Sequence, residues 1–324
     1  MYKRLTILFF LIFIITSCAT DNKVKKIDEK KEKVISYELN INEFPTRELI
    51  VNDVNFIGYI NLKKARTIKL FKLINKYLNK NYFIAEADSL YFTISDIYKS
   101  QEFLLFLDDF NFDFEDVNTE KEQIFNKILF KTIKTDNQEF GAINFKNSSL
   151  YGDTALIKDL FSIYENKIDA FSEERYNIFL NSEFSKNNSD FKLFFIPNND
   201  YKKILLDFSE KQTVFKPLII DLNYIFLEVE LQEGDILNIN LTISKKDSIN
   251  EFFTFLNTKL KLLLTLNGTP YSTLNTSEVM STFDILKNIK INKVTENSIL
   301  ITISINEKNL EKYFRILSNF INKD

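Results

Sequence analysis

Apolar and polar positions along this chain alternate with two different periods, and each stretch predicts an element. Val54–Asn61 reads as a strand, with Phe56-Ile57 and Tyr59-Ile60 around Gly58. From Leu62 to Leu78 the period changes. Ile68, Phe71, Ile74 and Leu78 recur at three- and four-residue spacing and predict a helix with one apolar face. Ser89–Ser95 alternates Leu90, Phe92 and Ile94 and predicts a strand. The run Phe103–Leu107, inside Gln101–Phe110, is apolar throughout, so period alone leaves helix and strand open. Ile124–Lys134 and Glu139–Lys146 predict a hairpin across Thr135–Gln138. Leu150-Tyr151-Gly152 leads into a helix, Asp153–Tyr164, with Leu156, Leu160, Phe161 and Tyr164 inward.

Lys167–Asn188 is polar, with a weak helical pattern near Glu173–Leu180. Phe191–Ile196 reads as a strand stopped by Pro197, and Asp200–Phe208 as a short helix. Ile225–Leu231 and Ile236–Ile243 form the clearest hairpin, turning at Gln232-Glu233-Gly234-Asp235. Ser248 and Glu251 fit a capping box. The helix they open carries Ile249, Phe252, Phe253, Leu256, Leu260, Leu263 and Leu264 on one broad face, and Gly268 and Pro270 stop it. A helix at Ser277–Leu286, a hairpin of Ile289–Lys293 with Ser298–Ile305, and a last helix after Asn306 complete the reading. Both halves open with a strand and a helix and close with a hairpin and a helix. The closing pieces are Phe140–Tyr164 and Ile299–Phe320. The expected fold class is α+β: two similar halves of antiparallel strand hairpins and helices, the helices covering one face of the sheet.

The start of the chain has a pattern of its own. Lys3 and Arg4 precede an almost wholly apolar run, Leu5–Ile15, which is short for a membrane span and is followed by small residues. That arrangement reads as a secretory signal peptide. Ile15-Thr16-Ser17-Cys18 resembles the lipobox of bacterial lipoprotein precursors. The resemblance implies cleavage before Cys18, a thioether from its sulfur to diacylglycerol, and usually a third acyl chain. At about 0.8 kcal/mol per buried CH₂, two or three chains anchor far more firmly than one. Ala19 stands where Asp resembles an inner-membrane retention signal, which favours the outer membrane. Ala19–Ser36 is rich in charge and poor in apolar residues, so it reads as a disordered tether. The expected organisation is residues 1–17 signal peptide, 18–36 lipidated cysteine and tether, 37–166 first half, 167–189 connector and 190–324 second half.

Composition removes whole classes of chemistry. Histidine is absent, which excludes Ser-His-Asp and Cys-His catalysis and histidine metal sites. Cys18 is the only cysteine, so once it is lipidated no thiol remains. The five glycines are isolated and form no phosphate-cradling loop. Losing Lys3 and Arg4 takes the formal net charge from −3 to −5, a poor match to general nucleic-acid binding. Phe is abundant, at 33 residues, and Trp is absent.

Three local patterns carry candidate chemistry. Arg66, Lys69, Lys72 and Lys76 approximate one basic stripe and are the candidate contacts to an anionic surface, against the alternative of a solvated helix face. Asp109, Asn111, Asp113, Glu115 and Glu120 sit at offsets similar to a calcium-binding EF-hand loop. Phe114 occupies the place of the turn glycine, and Phe110, Phe112 and Phe114 call for burial, so an acidic loop is the favoured reading. Ser189-Asp190-Phe191-Lys192 is a bare S-x-x-K that opens a strand rather than a helix, without a K-T-G companion. Glu228 and Glu230 share a strand face, as exposed acidic residues commonly do. The expectation is a non-catalytic, lipid-anchored cell-envelope protein with a binding or structural role, without cofactor, metal or nucleic acid. A carrier of lipid or another apolar ligand is the alternative, and a carboxylate-based hydrolase the third reading.

Overall fold

The structure is a computed structural model of the 324-residue chain. It describes residues 47–67, 86–96, 102–112, 121–125, 128–134, 139–145, 148–164, 167–182, 184, 189–208, 215–232, 236–265 and 286–306. These fall into two compact units that divide between Tyr176 and Asn177. No described helix is long and apolar enough to cross a membrane.

The first unit contains β1 (Phe56–Asn61), α1 (Leu62–Ala65), β2 (Ser89–Asp96), β3 (Glu102–Asp108) and β4 (Lys121–Phe125). It continues with β5 (Ile128–Lys134), β6 (Glu139–Asn144), β7 (Ser148–Asp153) and α2 (Thr154–Tyr164). Its strands lie in the order β1-β2-β3-β7-β6-β5-β4, with every pair antiparallel. Strand β3 sits between β2 and β7, and Leu104–Leu107 are all buried. Burial on both faces explains why that run has no period. One row across the sheet is Gly58–Phe92–Leu105–Tyr151–Ala142, and the next, on the opposite face, is Tyr59–Tyr91–Phe106–Leu150–Ile143. Asp153 accepts from the backbone N–H groups of Ala155 and Leu156 and so caps α2, which packs on β3, β6 and β7.

The boundary between units lies inside α3 (Glu173–Asn181). The second unit holds β8 (Phe191–Phe195), α4 (Asn199–Phe208), α5 (Lys216–Ile220) and β9 (Leu222–Gln232). It continues with β10 (Ile236–Lys245), α6 (Asn250–Thr265), β11 (Ile289–Thr295) and β12 (Ser298–Asn306). Its strand order is β8-β9-β10-β12-β11, again antiparallel throughout. One face is apolar, with rows Leu193–Leu227–Leu241–Ile301–Ile291 and Phe191–Val229–Ile239–Ile303–Ile289. Leu237 and Ile305 form a buried cluster there, against which Val229, Ile239 and Ile303 pack. The opposite face holds an aromatic cluster at one end. Phe194 lies 5.0 Å from Tyr224 and 5.2 Å from Phe179, and Phe184 lies 5.9 Å from Phe226.

The two units share a pattern of strand neighbours. In each, the first three strands lie side by side, the last strand adds to the third, and the penultimate strand adds to the last. Strands β1-β2-β3-β7-β6 thus match β8-β9-β10-β12-β11 one for one. The first unit carries two more strands, β5 and β4, beyond β6.

Four sequence expectations change. Ile124–Lys134 is not one strand: Phe125 pairs with Ile128, and polar Asn126-Lys127 separates two antiparallel strands. Ser148–Asp153 is a full strand, although its serines and Gly152 conceal the alternation. Lys216–Ile220, a helix the pattern does not announce, opens with Pro217 near its start. The helices also do not cover one face as a layer. Helices α1 and α5 have 4 and 5 residues. They span roughly 6–8 Å, whereas five strands spaced about 4.8 Å apart span about 19 Å. The sheets dominate, and α4 and α5 pack on each other. The expected helices over Ile68–Leu78 and Ser277–Ile285, and the one after Asn306, lie outside the described residues.

Candidate functional site

The apolar and polar alternation of the second unit's sheet places one polar row across all five strands. It runs Lys192–Glu228–Asn240–Thr302–Lys290, from β8 through β9, β10 and β12 to β11. At its inner end the side chains are tied together. Asn240 Nδ2 donates to Glu228 Oε1 at 2.8 Å, and Ser189 Oγ donates to Glu228 Oε2 at 3.1 Å. Lys192 Nζ donates to the Phe184 carbonyl at 2.9 Å and lies 5.3 Å from the Phe184 ring. Burial pushes the Lys192 ammonium below its ordinary value, and the Glu228 carboxylate pulls it partly back.

The structure therefore brings Ser189, Lys192 and Glu228 into one cluster. The S-x-x-K spacing and the Glu228/Glu230 pair named these residues separately. In a serine acyl-enzyme the base must meet the nucleophile. Here the Ser189 hydroxyl points at Glu228, and Lys192 is drawn to a backbone carbonyl. Ser189 is buried, and both carboxylate oxygens of Glu228 accept hydrogen bonds. Asn240 and Glu228 tie β10 to β9, and Ser189 ties the residue run ahead of β8 to β9. Glu228 is half-buried rather than solvated, whereas Glu230 is exposed. Alternation could not reveal Asn240 as a partner, because its contact crosses strands.

The outer end of the row differs. Strand β11 is the edge of the second unit's sheet, and Lys290, Asn292, Lys293, Val294 and Thr295 are exposed along it. Lys290 faces Thr302 on the inner side, and Lys293 Nζ donates to Asn250 Oδ1 at 2.8 Å.

Of the basic stripe, the structure describes Arg66 alone. It is half-buried and its guanidinium donates to the Ala87 carbonyl. Lys69, Lys72, Lys76 and Cys18 lie outside the described residues, as do Asp113, Glu115 and Glu120. Asp109 is exposed with φ 50°, in the left-handed region. Past it the chain folds inward. Phe110 and Phe112 are buried with ring centroids 5.0 Å apart. The Asn144 amide holds both the N–H and the carbonyl of Phe112, at 2.8 and 2.9 Å. Among the described residues, no group of three His, Cys, Asp or Glu is placed to hold a metal ion.

A second polar cluster, absent from the sequence reading, centres on Arg175. Its guanidinium donates to the carbonyls of Asn52 and Val54 and lies 4.5 Å from the Phe171 ring centroid. Arg47 Nε donates to the Phe171 carbonyl at 2.7 Å. Burial takes Arg175 down to about 10, against the pull of Asp53, so it remains charged at neutral pH.

No protein-family model matches this chain, and no curated protein matches it. Among solved structures it is similar to TP0453 in crystal forms III, I and IV. The TM-scores are 0.43, 0.43 and 0.44, at 10%, 11% and 12% identity. The alignments cover 83%, 83% and 87% of this chain and 97%, 96% and 97% of that one.

Proposed function

We propose that this is a non-catalytic, lipid-anchored protein of the cell envelope whose folded part binds another protein or serves structurally. One observation carries the reading: the lipobox Ile15-Thr16-Ser17-Cys18, followed by a charged tether, stands ahead of a chain built around antiparallel sheets. Its cleaved, acylated Cys18 would hold the protein at a membrane, with the outer membrane favoured by Ala19. The site chemistry supports a role without catalysis. The Ser189 hydroxyl donates to Glu228, which also accepts from Asn240, while Lys192 donates to the Phe184 carbonyl. The phenylalanines support partner binding over the carrier reading. Eight of them, Phe92, Phe106, Phe140, Phe171, Phe179, Phe184, Phe194 and Phe226, are among the largest fully buried side chains and fill the core.

The test is metabolic labelling with palmitate. The wild-type chain takes up label and shortens by its signal peptide, and Cys18→Ser does neither. Label on the Cys18→Ser variant would overturn the anchoring.

A further inference from the structure

We propose that the outer edge of β11 receives an antiparallel strand from a partner protein, and that the strand is an extended segment alternating acidic and apolar residues. The proposal deepens the partner-binding reading and rests on it.

The first argument comes from the repeated topology. Strand β11 stands in the second unit where β6 stands in the first. The outer edge of β6 is paired with β5, antiparallel, from Lys131 opposite Ala142 to Lys134 opposite Glu139. The equivalent edge of β11 ends the second unit's sheet. The chain thus shows that this topology accepts one more strand there, and in the second unit no described strand takes that position. Main-chain hydrogen bonds to an open edge give affinity, and alternate side chains give specificity.

The second argument is charge. Within the polar row, Lys192 has Glu228 across from it on the neighbouring strand. Lys290 ends the same row, with Thr302 on its inner side and no described strand outside. An added strand continues the row, and a carboxylate there repeats the Lys192–Glu228 arrangement. On the opposite face the added strand meets Ile289 and Ile291, which call for apolar residues.

The same lysines select against other occupants. A second copy pairing antiparallel about Ile291 would set Lys290 opposite Asn292 and Lys293 opposite Ile289, so neither lysine would meet a carboxylate. The tether carries six lysines against four acidic residues between Cys18 and Ser36, so its charge is wrong. Lysines on an edge strand can also serve only to block pairing, and the experiment separates the two roles.

Full-length chain is titrated with two synthetic hexapeptides, one alternating Glu and Val and the other alternating Lys and Val. The acidic peptide should bind about two- to fivefold tighter at low salt, the range expected of one cross-strand charge pair, at Lys290. Hydrogen exchange should slow at amides within Ile289–Thr295. The substitution Lys290→Glu should invert the preference. No binding, equal binding of the two peptides, or protection elsewhere would overturn the proposal and leave these lysines as guards of a closed edge. Self-association through β11, or a cross-linked partner that Lys290→Glu fails to release, would also overturn it. Either result would leave the lipid anchor, tested separately at Cys18, untouched.

Discussion

Gly58 shows how far one residue can be committed by its cross-strand neighbour. It lies opposite Phe92, and a Cβ on Gly58 would sit 2.0 Å from the tip of the Phe92 ring. The ring occupies the space that the missing side chain leaves, and Phe92 is almost wholly buried. Gly58→Ala must displace the ring in a packed layer, which should destabilise by about 1–3 kcal/mol. A urea midpoint lower than wild type, with unchanged slope, is the expected result. In a Phe92→Ala background the same substitution should cost much less, because the two residues share one volume. Arg175 makes a different point. It is a half-buried cation that ties down the backbone of Asn52 and Val54, and its role is visible only in the fold.

At the scale of elements, α2 combines a good start with an electrostatic cost. The Asp153 carboxylate caps it, an interaction of about 1 kcal/mol. One turn on, Asp159 is pushed above the ordinary carboxylate value of 3.8, first by burial and then by Asp53, Asp153 and Glu102. A raised value means that the folded chain holds this proton more tightly than the unfolded chain. The charged form therefore weakens the fold at neutral pH, and stability returns as pH falls through the folded value. Asp159→Asn should melt higher than wild type at pH 7. The gap should close as pH falls below 3.8, where the carboxyl is protonated in both states. Melting curves from pH 7 to pH 3 check this, and a gap that widens on acidification would contradict it.

For the whole molecule, the question is whether the chain itself meets an anionic surface. The chain carries a formal net charge of −3, and Arg66 turns its guanidinium toward the Ala87 carbonyl rather than along a basic stripe. Lys69, Lys72 and Lys76 remain. The expected outcome is that lipid-free mature chain, carrying Cys18→Ser, binds anionic and neutral vesicles equally. Replacing these three lysines with Gln should then change nothing. Anionic-vesicle binding that fades with salt and is lost in the triple variant would instead show electrostatic docking, since such contacts are screened beyond about 8 Å at physiological ionic strength.

Local pattern was enough wherever one face of an element is buried and the other wet. The helix after Asp153 was legible for that reason, and the hairpin of β9 and β10 and the strand of Leu90, Phe92 and Ile94 because apolar residues alternate with polar ones along them, although Thr93 and Ser95 are buried too. The expectation of a lipid anchor rests on the contiguous residues Ile15-Thr16-Ser17-Cys18 alone. Pattern failed where burial is two-sided, as in β3, or where small residues mask a strand, as in β7. It failed again at the polar row, because Lys192, Glu228, Asn240 and Lys290 are distant in the chain and meet only through register. Sequence alone determined which faces are apolar and which chemistries lack their residues. Tertiary structure decided which polar side chains meet, and that β6 gains a further strand while β11 ends its sheet. Strand pairing is a long-range choice, made by backbone hydrogen bonds that every residue offers alike, so no single residue announces it.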